Sequence, residues 1–173
     1  MKARGFATFG EFVDAHQVEI LRYLLRLTGT SSEAEDLFQD TFLRALNAFP
    51  RLRAGSNHRA WLYRIATNVF LNHRRDGQRR REVAMPDEIA GSSPSPDARH
   101  DRIVAVAAFR RAVARLPRRQ RVAFVQRTLH GLSYQEIGTA LGCTPDTARA
   151  HVYHAVRRLR REMAIQRVTY HDV

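Results

Sequence analysis

Apolar positions recur at helical spacing along most of this 173-residue chain, and no convincing run of alternation marks a strand. Between Phe12 and Leu27, the residues Val13, Ile20, Leu21, Leu24 and Leu25 share a face, and Gly29 ends the helix. Ser32 and Glu35 have capping-box spacing for a second helix. Its inner side is Leu37, Phe38, Thr41, Phe42, Ala45, Leu46 and Phe49, and Pro50 stops it. After a basic loop, RLRAGSNH, a third helix is predicted from about Arg59 to Arg75, with Leu62, Ile65, Ala66 and Val69 inward. Two more are predicted from about Arg102 to Arg115 and from about Arg118 to His130, closed by Leu116-Pro117 and Gly131 respectively.

Residues 131–161, GLSYQEIGTALGCTPDTARAHVYHAVRRLRR, carry the most information. Ser133 and Glu136 form a second capping box, opening a short helix with Ile137, Ala140 and Leu141 inward until Gly142 breaks it. Thr144 then serves as N-cap, Pro145 fits the first helical position, and Asp146 complements the helix dipole. Two helices joined by so short a glycine-containing turn predict a helix-turn-helix. The expected fold is all-α: two small helical domains joined by a flexible linker, the second a helix-turn-helix.

Charge divides the chain in the same way. There are 29 basic against 17 acidic residues, net +12, and Lys2 is the only lysine. Residues 1–81 are net +6 and residues 102–173 net +10, whereas 82–101 are net −4 and hold Pro86, Pro94 and Pro96. The domains are therefore expected at 1–81 and 102–173, with 82–101 an acidic Pro/Ser linker. Such an arginine excess points to phosphate, with nucleic acid ahead of an anionic membrane surface. No stretch is long and apolar enough to span a bilayer, and MKARGFATFGEF lacks the apolar core of a secretory signal, so a cytoplasmic location is expected. The lone Cys143 excludes an internal disulfide and any multi-cysteine zinc site. Without a phosphate-cradling glycine loop, an HExxH motif or a Cys/His cluster, the chain offers no enzyme motif; no cofactor and no metal are expected.

Three helical faces are candidates for binding. On the last helix, Ala148, Val152, Ala155 and Leu159 make an inward stripe. Thr147, Arg149, Ala150, His151, Tyr153, His154, Arg157, Arg160 and Arg161 cover the remainder, small and hydrogen-bonding at the start, cationic at the end. That layout suits base edges in a major groove with arginines on flanking phosphates. A solvated basic surface is the plainer alternative, which cap, turn and stripe together disfavour. On the third helix, Arg59, Trp61, Tyr63, Arg64, Thr67, Asn68, Asn72, Arg74 and Arg75 mix aromatic, polar and cationic groups suited to unpaired bases. There Trp61 and Tyr63 are equally readable as core filler, and Leu71 fits neither reading. On the second helix, Glu33, Glu35, Asp36 and Asp40 form an acidic face beside an exposed Leu43. It reads either as a surface for a basic protein partner or as a solvated face.

Taken in this order and spacing, SEAEDLFQDTFLRAL, RAWLYRIATNVFLNHRR and ALGCTPDTARAHVYHAVRRLRR resemble a bacterial sigma-70-type RNA polymerase sigma factor of the extracytoplasmic-function (ECF) group, from about Phe12 to Met163. The resemblance implies a transcription initiation factor with no chemistry of its own. It would bind core RNA polymerase (the β′ clamp helices, and β) and read promoter DNA, and an anti-sigma factor would be expected to restrain it. It makes Glu35, Asp36, Gln39, Asp40 and Leu43 the polymerase contacts, the third helix the reader of the unwound −10 element, and the loop from about Asn47 to His58 the place where a flipped base is captured. It makes the final helix the reader of the −35 duplex. Two positions depart from the family pattern: Asp146 stands where a small residue is usual, and His151 where a basic one is usual. A regulator that binds an operator without polymerase is the alternative function. It leaves the acidic and aromatic helices unexplained, and a membrane-surface protein would need a more one-sided cationic/apolar split.

Overall fold

The computed structural model describes residue 6 and residues 8–52, 55–73 and 96–171, the side chains of 96–102 and 165–171 excepted. Among these residues the ordered elements are helical: α1 (Phe9–Thr28), α2 (Ser31–Ala48), a 3₁₀ turn at Phe49–Arg51, α3 (His58–Asn72), α4 (Pro96–Arg115), α5 (Arg118–Leu129), α6 (Tyr134–Leu141) and α7 (Pro145–His171). None is long and apolar enough to cross a membrane.

Local chemistry sets the boundaries. Thr8 caps α1 by accepting from the Glu11 amide, and Gly29, at a left-handed φ of 84°, ends it while its N–H donates to Leu25 O at 2.9 Å. That reversal leaves only Thr30 in extended backbone before α2 begins at Ser31. The capping box expected from Ser32 and Glu35 therefore does not form. Both residues already lie inside the helix, and Thr30 is the N-cap, without a side-chain bond. The box at Ser133 and Glu136 does form, with Glu136 N donating to Ser133 Oγ at 3.2 Å and Ser133 N donating back to Glu136 Oε2 at 2.8 Å. Thr144 caps α7 by accepting from Thr147 N at 3.2 Å.

Three departures from the sequence pattern concern length, the first being that α3 ends at Asn72, with His73 as its C-cap, rather than near Arg75. The fourth helix starts at Pro96 rather than near Arg102, because a proline at the first helical position has no amide to leave unpaired. Residues 96–101 of the expected linker thus open α4, and 82–95 lie outside the described residues. The last helix continues to His171, well past the basic stretch that ends at Arg161.

α1 and α2 pair as an antiparallel hairpin with α3 across them, burying Phe12, Ile20, Leu24, Leu27, Leu37, Ala45, Leu62, Ala66 and Val69. An aromatic cluster of Phe9, Phe12, Phe49 and Trp61, edge-to-face at Phe9–Phe49 and Phe12–Trp61 and stacked at Phe9–Phe12, closes one end. In the second unit, Ile137 and Leu141 of α6 and Ala148, Val152, Ala155 and Leu159 of α7 pack against α5. The two units are not separate bodies. α5 is buried at every position from Arg121 to Gln126, and its apolar residues join those of α1–α3 in one continuous cluster. Leu71, which fitted no face in the sequence, packs against this shared core.

The tightest approach lies inside the helix-turn-helix. A Cβ added at Gly138 would stand 2.7 Å from the backbone oxygen of Cys143 and 3.3 Å from Pro145 N, so backbone would have to move. Gly138→Ala should therefore lower the stability of the chain by about 1–3 kcal/mol, read by denaturant unfolding, despite alanine's better helix propensity.

Candidate nucleic-acid interface

On α7 the stripe of Ala148, Val152, Ala155 and Leu159 is buried, and the opposite side is open. Thr147, Arg149, Ala150, Tyr153, His154, Arg157, Arg160 and Arg161 are exposed, Tyr153 by 62%. His151 is half-buried. Burial, with Arg119 and His154 nearby, holds its imidazole below the ordinary histidine range and favours the neutral ring. Arg149 is placed from behind: its guanidinium lies 5.1 Å from the Tyr134 ring centroid, and Arg127 lies 4.7 Å from the same ring. Asp146 is exposed in the first turn, where a carboxylate complements the helix dipole.

On α2 the acidic face is also open. Glu35, Asp36, Gln39 and Asp40 are exposed, and Leu43 (60%) and Leu46 (47%) stand out of the core beside them. Leu46 was expected on the inner side, but Leu37, Thr41, Phe42 and Ala45 complete that side without it. Solvated carboxylates next to two exposed leucines make a surface that is apolar and anionic at once.

The face of α3 is different. Arg64, Asn68 and Asn72 are exposed, and Arg59 and Trp61 are half-buried, Trp61 against Phe12. Tyr63 and Thr67 are wholly buried, because they point into the second unit. Arg74 and Arg75 lie outside the described residues, as do 53 and 54 of the loop before α3.

The contacts across this junction are mostly polar. The Gln126 amide of α5, itself fully buried, donates to Tyr23 Oη at 2.9 Å and to Thr67 Oγ1 at 2.8 Å, and those two hydroxyls are 2.9 Å apart. Tyr63 donates to Glu19 Oε1 at 2.8 Å and lies 2.6 Å from His130 Nδ1. His130 Nε2 lies 3.4 Å from Arg26 Nη1, which can only donate. Nε2 is therefore the acceptor, and Nδ1–H donates to Tyr63. Arg59 donates through Nε to Glu19 at 2.9 Å and through Nη2 to the backbone oxygen of His130 at 2.7 Å. Asn57 caps α3 with its oxygen (2.9 Å from Ala60 N) and donates its amide to Glu136 Oε1 at 2.8 Å, so one side chain ties two helix N-termini.

Two arginines of α5 complete the junction. Arg118 lies 4.8 Å from the Phe70 ring centroid and donates to Leu71 O at 3.2 Å and His73 O at 2.9 Å. Arg121 donates to Leu27 O at 2.6 Å as well as to Ala114 O and Leu116 O. Guanidinium groups thus satisfy the last carbonyls of α1, α3 and α4, where the helix dipoles favour a cation.

The sequence reading missed Glu19, Arg118, Arg121, Gln126 and His130. The available signal was the four-residue spacing of Arg118, Val122, Gln126 and His130. It marks a second buried stripe on a helix whose other side, Val125 included, already faces a core. At Glu19, burial alone would push the carboxyl up, but His130, Arg59 and Tyr63 outweigh it and hold the group well below the ordinary carboxylate range. Burial and the neighbouring Glu19 carboxylate push the Tyr63 phenol upward.

Residues 12–80 match the Sigma-70 region 2 family, and residues 107–159 match Sigma-70, region 4. The chain is 33% identical over 160 residues to the ECF RNA polymerase sigma factor SigE of Mycolicibacterium smegmatis, covering 91% of this chain and 62% of that protein. It is also 33% identical over 153 residues to the ECF RNA polymerase sigma factor SigL of Mycobacterium tuberculosis, covering 85% of this chain and 84% of that protein. Among solved structures, it superposes on the sigma factor RpoE of Bartonella quintana, solved in complex with the anti-sigma factor NepR. The TM-score is 0.74 at 25% identity, covering 91% of this chain and 97% of that one. CnrH, solved with the cytosolic domain of CnrY, shares the fold at a TM-score of 0.66 and 22% identity.

A carboxylate whose folded-state titration lies below its unfolded value of about 4.3 stabilises the fold fully above that value, and the contribution disappears as pH falls through the folded range. Glu19→Gln should therefore lower the unfolding midpoint at neutral pH and flatten its decline on acidification. A pH series of thermal melts of both proteins reads the difference.

Proposed function

The chain belongs to the ECF sigma factors of the sigma-70 family, and on that premise we propose that it directs core RNA polymerase to promoters by reading DNA in two states. The α2 face docks on the polymerase through Glu35, Asp36, Gln39, Asp40 and Leu43, with the basic β′ clamp helices as the complementary surface. The α7 face enters the −35 major groove, where Thr147, Arg149 and Ala150 meet base edges while Arg157, Arg160 and Arg161 hold phosphates. The α3 face, from Arg59 through Trp61, Tyr63, Arg64, Thr67, Asn68 and Asn72 to Arg74 and Arg75, holds the unwound −10 strand by stacking and charge. The domain limits follow the same division, 1–81 for polymerase and the −10 strand and the expected 102–173, extended to the start of α4 at Pro96, for the −35 duplex.

No bond is made or broken in this reading. Preferential binding of the opened strand over duplex shifts the promoter equilibrium towards the open complex. The factor acts where the polymerase acts, in the cytoplasm, and an anti-sigma factor is proposed as its restraining partner.

The observation that carries this reading is the pairing, on one small chain, of an open acidic-apolar face on α2 with an open, increasingly cationic face on α7. An operator-binding regulator would use the second and leave Leu43 and Leu46 in water without a purpose. Run-off transcription with purified core polymerase is the deciding experiment. Adding the chain should produce promoter-specific transcripts, and Leu43→Asp should abolish them while leaving −35 duplex binding intact. A chain that neither binds core polymerase nor confers specific initiation would overturn the proposal.

The cationic end of α7 makes a quantitative prediction. Arg157→Ala and Arg160→Ala should each weaken duplex binding at every sequence and reduce the slope of log K against log salt by about one. His151→Ala should leave that slope unchanged near neutral pH, because its ring is held neutral.

A further inference from the structure

Arg149 differs from the other exposed arginines of α7 in what holds it. Among the described residues it makes no ion pair and no hydrogen bond, even with Asp146 three residues before it. Its partner is the ring of Tyr134, 5.1 Å away at the centroid, on the other helix of the helix-turn-helix. No ring holds Arg157, Arg160 or Arg161 among the described residues. We propose that Tyr134 is a positioning residue for Arg149: it aims the guanidinium at one guanine of the −35 duplex and so sets how sharply that base is read. The proposal rests on the duplex-reading role given to α7 above.

The ring is itself fixed. Tyr134 is the first residue of α6, set by the Ser133–Glu136 capping box, and it is partly buried against the shared core. Arg127, whose Nη1 donates to Leu132 O at 3.0 Å, lies 4.7 Å from the same ring. A ring holds a cation as no carboxylate can. A carboxylate would take up two guanidinium N–H groups, cancel the charge and repel the DNA backbone. The π face attracts the charge and leaves the N–H edge unpaired. That planar, unpaired edge matches the O6 and N7 acceptors that guanine presents in the major groove. An arginine without such support keeps its rotamer freedom and settles on a phosphate at any sequence.

Base preference at single positions tests the proposal. Core polymerase carrying the wild-type chain enriches duplexes from a random pool, and the enriched pool is read position by position. Arg149→Ala should erase a guanine preference at one position. Tyr134→Leu should lower the preference at that same position by about fivefold and leave the other positions, and the salt dependence of binding, as they were. Tyr134→Phe keeps the ring and should retain the full preference. Combining Tyr134→Leu with Arg149→Ala should do no more than Arg149→Ala alone, because the ring acts only through that arginine. Tyr134→Met is a second ringless variant, used if the leucine lowers helical circular dichroism.

A guanine preference that survives loss of the ring overturns the proposal, as does the lack of any guanine position that depends on Arg149. Equal losses in Tyr134→Phe and Tyr134→Leu overturn it too, since they make the hydroxyl the contact. So do additive losses in the double variant and a uniform loss at every position, which mark a loosened helix-turn-helix. A wild-type pool without any enriched motif counts instead against the proposed function, and this proposal falls with it.

Discussion

The structure depends on arginines held against the carboxyl ends of helices. Its two units carry net charges of +6 and +10 in sequence, and bringing them together is electrostatically unfavourable unless cations at the junction are absorbed. Arg121 and Arg118 of α5 are spent on the last carbonyls of α1 and α3, and Arg59 of α3 is spent on Glu19 and on the carbonyl that ends α5. The exchange is reciprocal, each unit contributing guanidinium to the other's helix ends. Helix ends are good partners because their carbonyls lack intrahelical donors. With those charges absorbed, Gln126 can enter between Tyr23 and Thr67, and the two apolar cores merge.

Much of this was legible from residue order. Helical periodicity places the elements, and Gly29, the Ser133–Glu136 box, Gly142 and Thr144 mark ends found at those positions. The inward stripe of α7 is buried as its spacing requires. The sequence was weakest where a residue's environment comes from a distant segment. The pairing of Ser32 with Glu35 has the right spacing, yet the chain reversal at Gly29 starts the helix too early for it. Tyr63 and Thr67 lie on a polar face by local periodicity, and only the arrival of α5, some sixty residues later, makes that face an interior. Arg118 and Arg121 look like two more units of DNA-binding charge. Their actual partners are backbone carbonyls, which no composition count reveals.

The arrangement therefore distinguishes three helical faces by exposure. The α2 and α7 faces are open, whereas α3 is open at Arg64, Asn68 and Asn72 and closed at Tyr63 and Thr67. Glu19 is central to that distinction. Its carboxylate gathers Arg59 and Tyr63 on one oxygen and sits 3.9 Å from His130, so three side chains of the junction share one anion. A single oxygen with several donors is rigid while they are all present and loses order when one leaves.

The residues proposed to read duplex sequence stand on α7, whereas many of those that join the two units stand on α5 and the turn after it. Thr147, Arg149 and Ala150 are solvent-facing, and Gln126 is interior. Substitutions on the open side of α7 therefore leave the junction contacts untouched, and the reverse also holds. Gene duplication can then diversify the open face of α7 among descendants of such a chain without each copy having to rebuild the joint between its units.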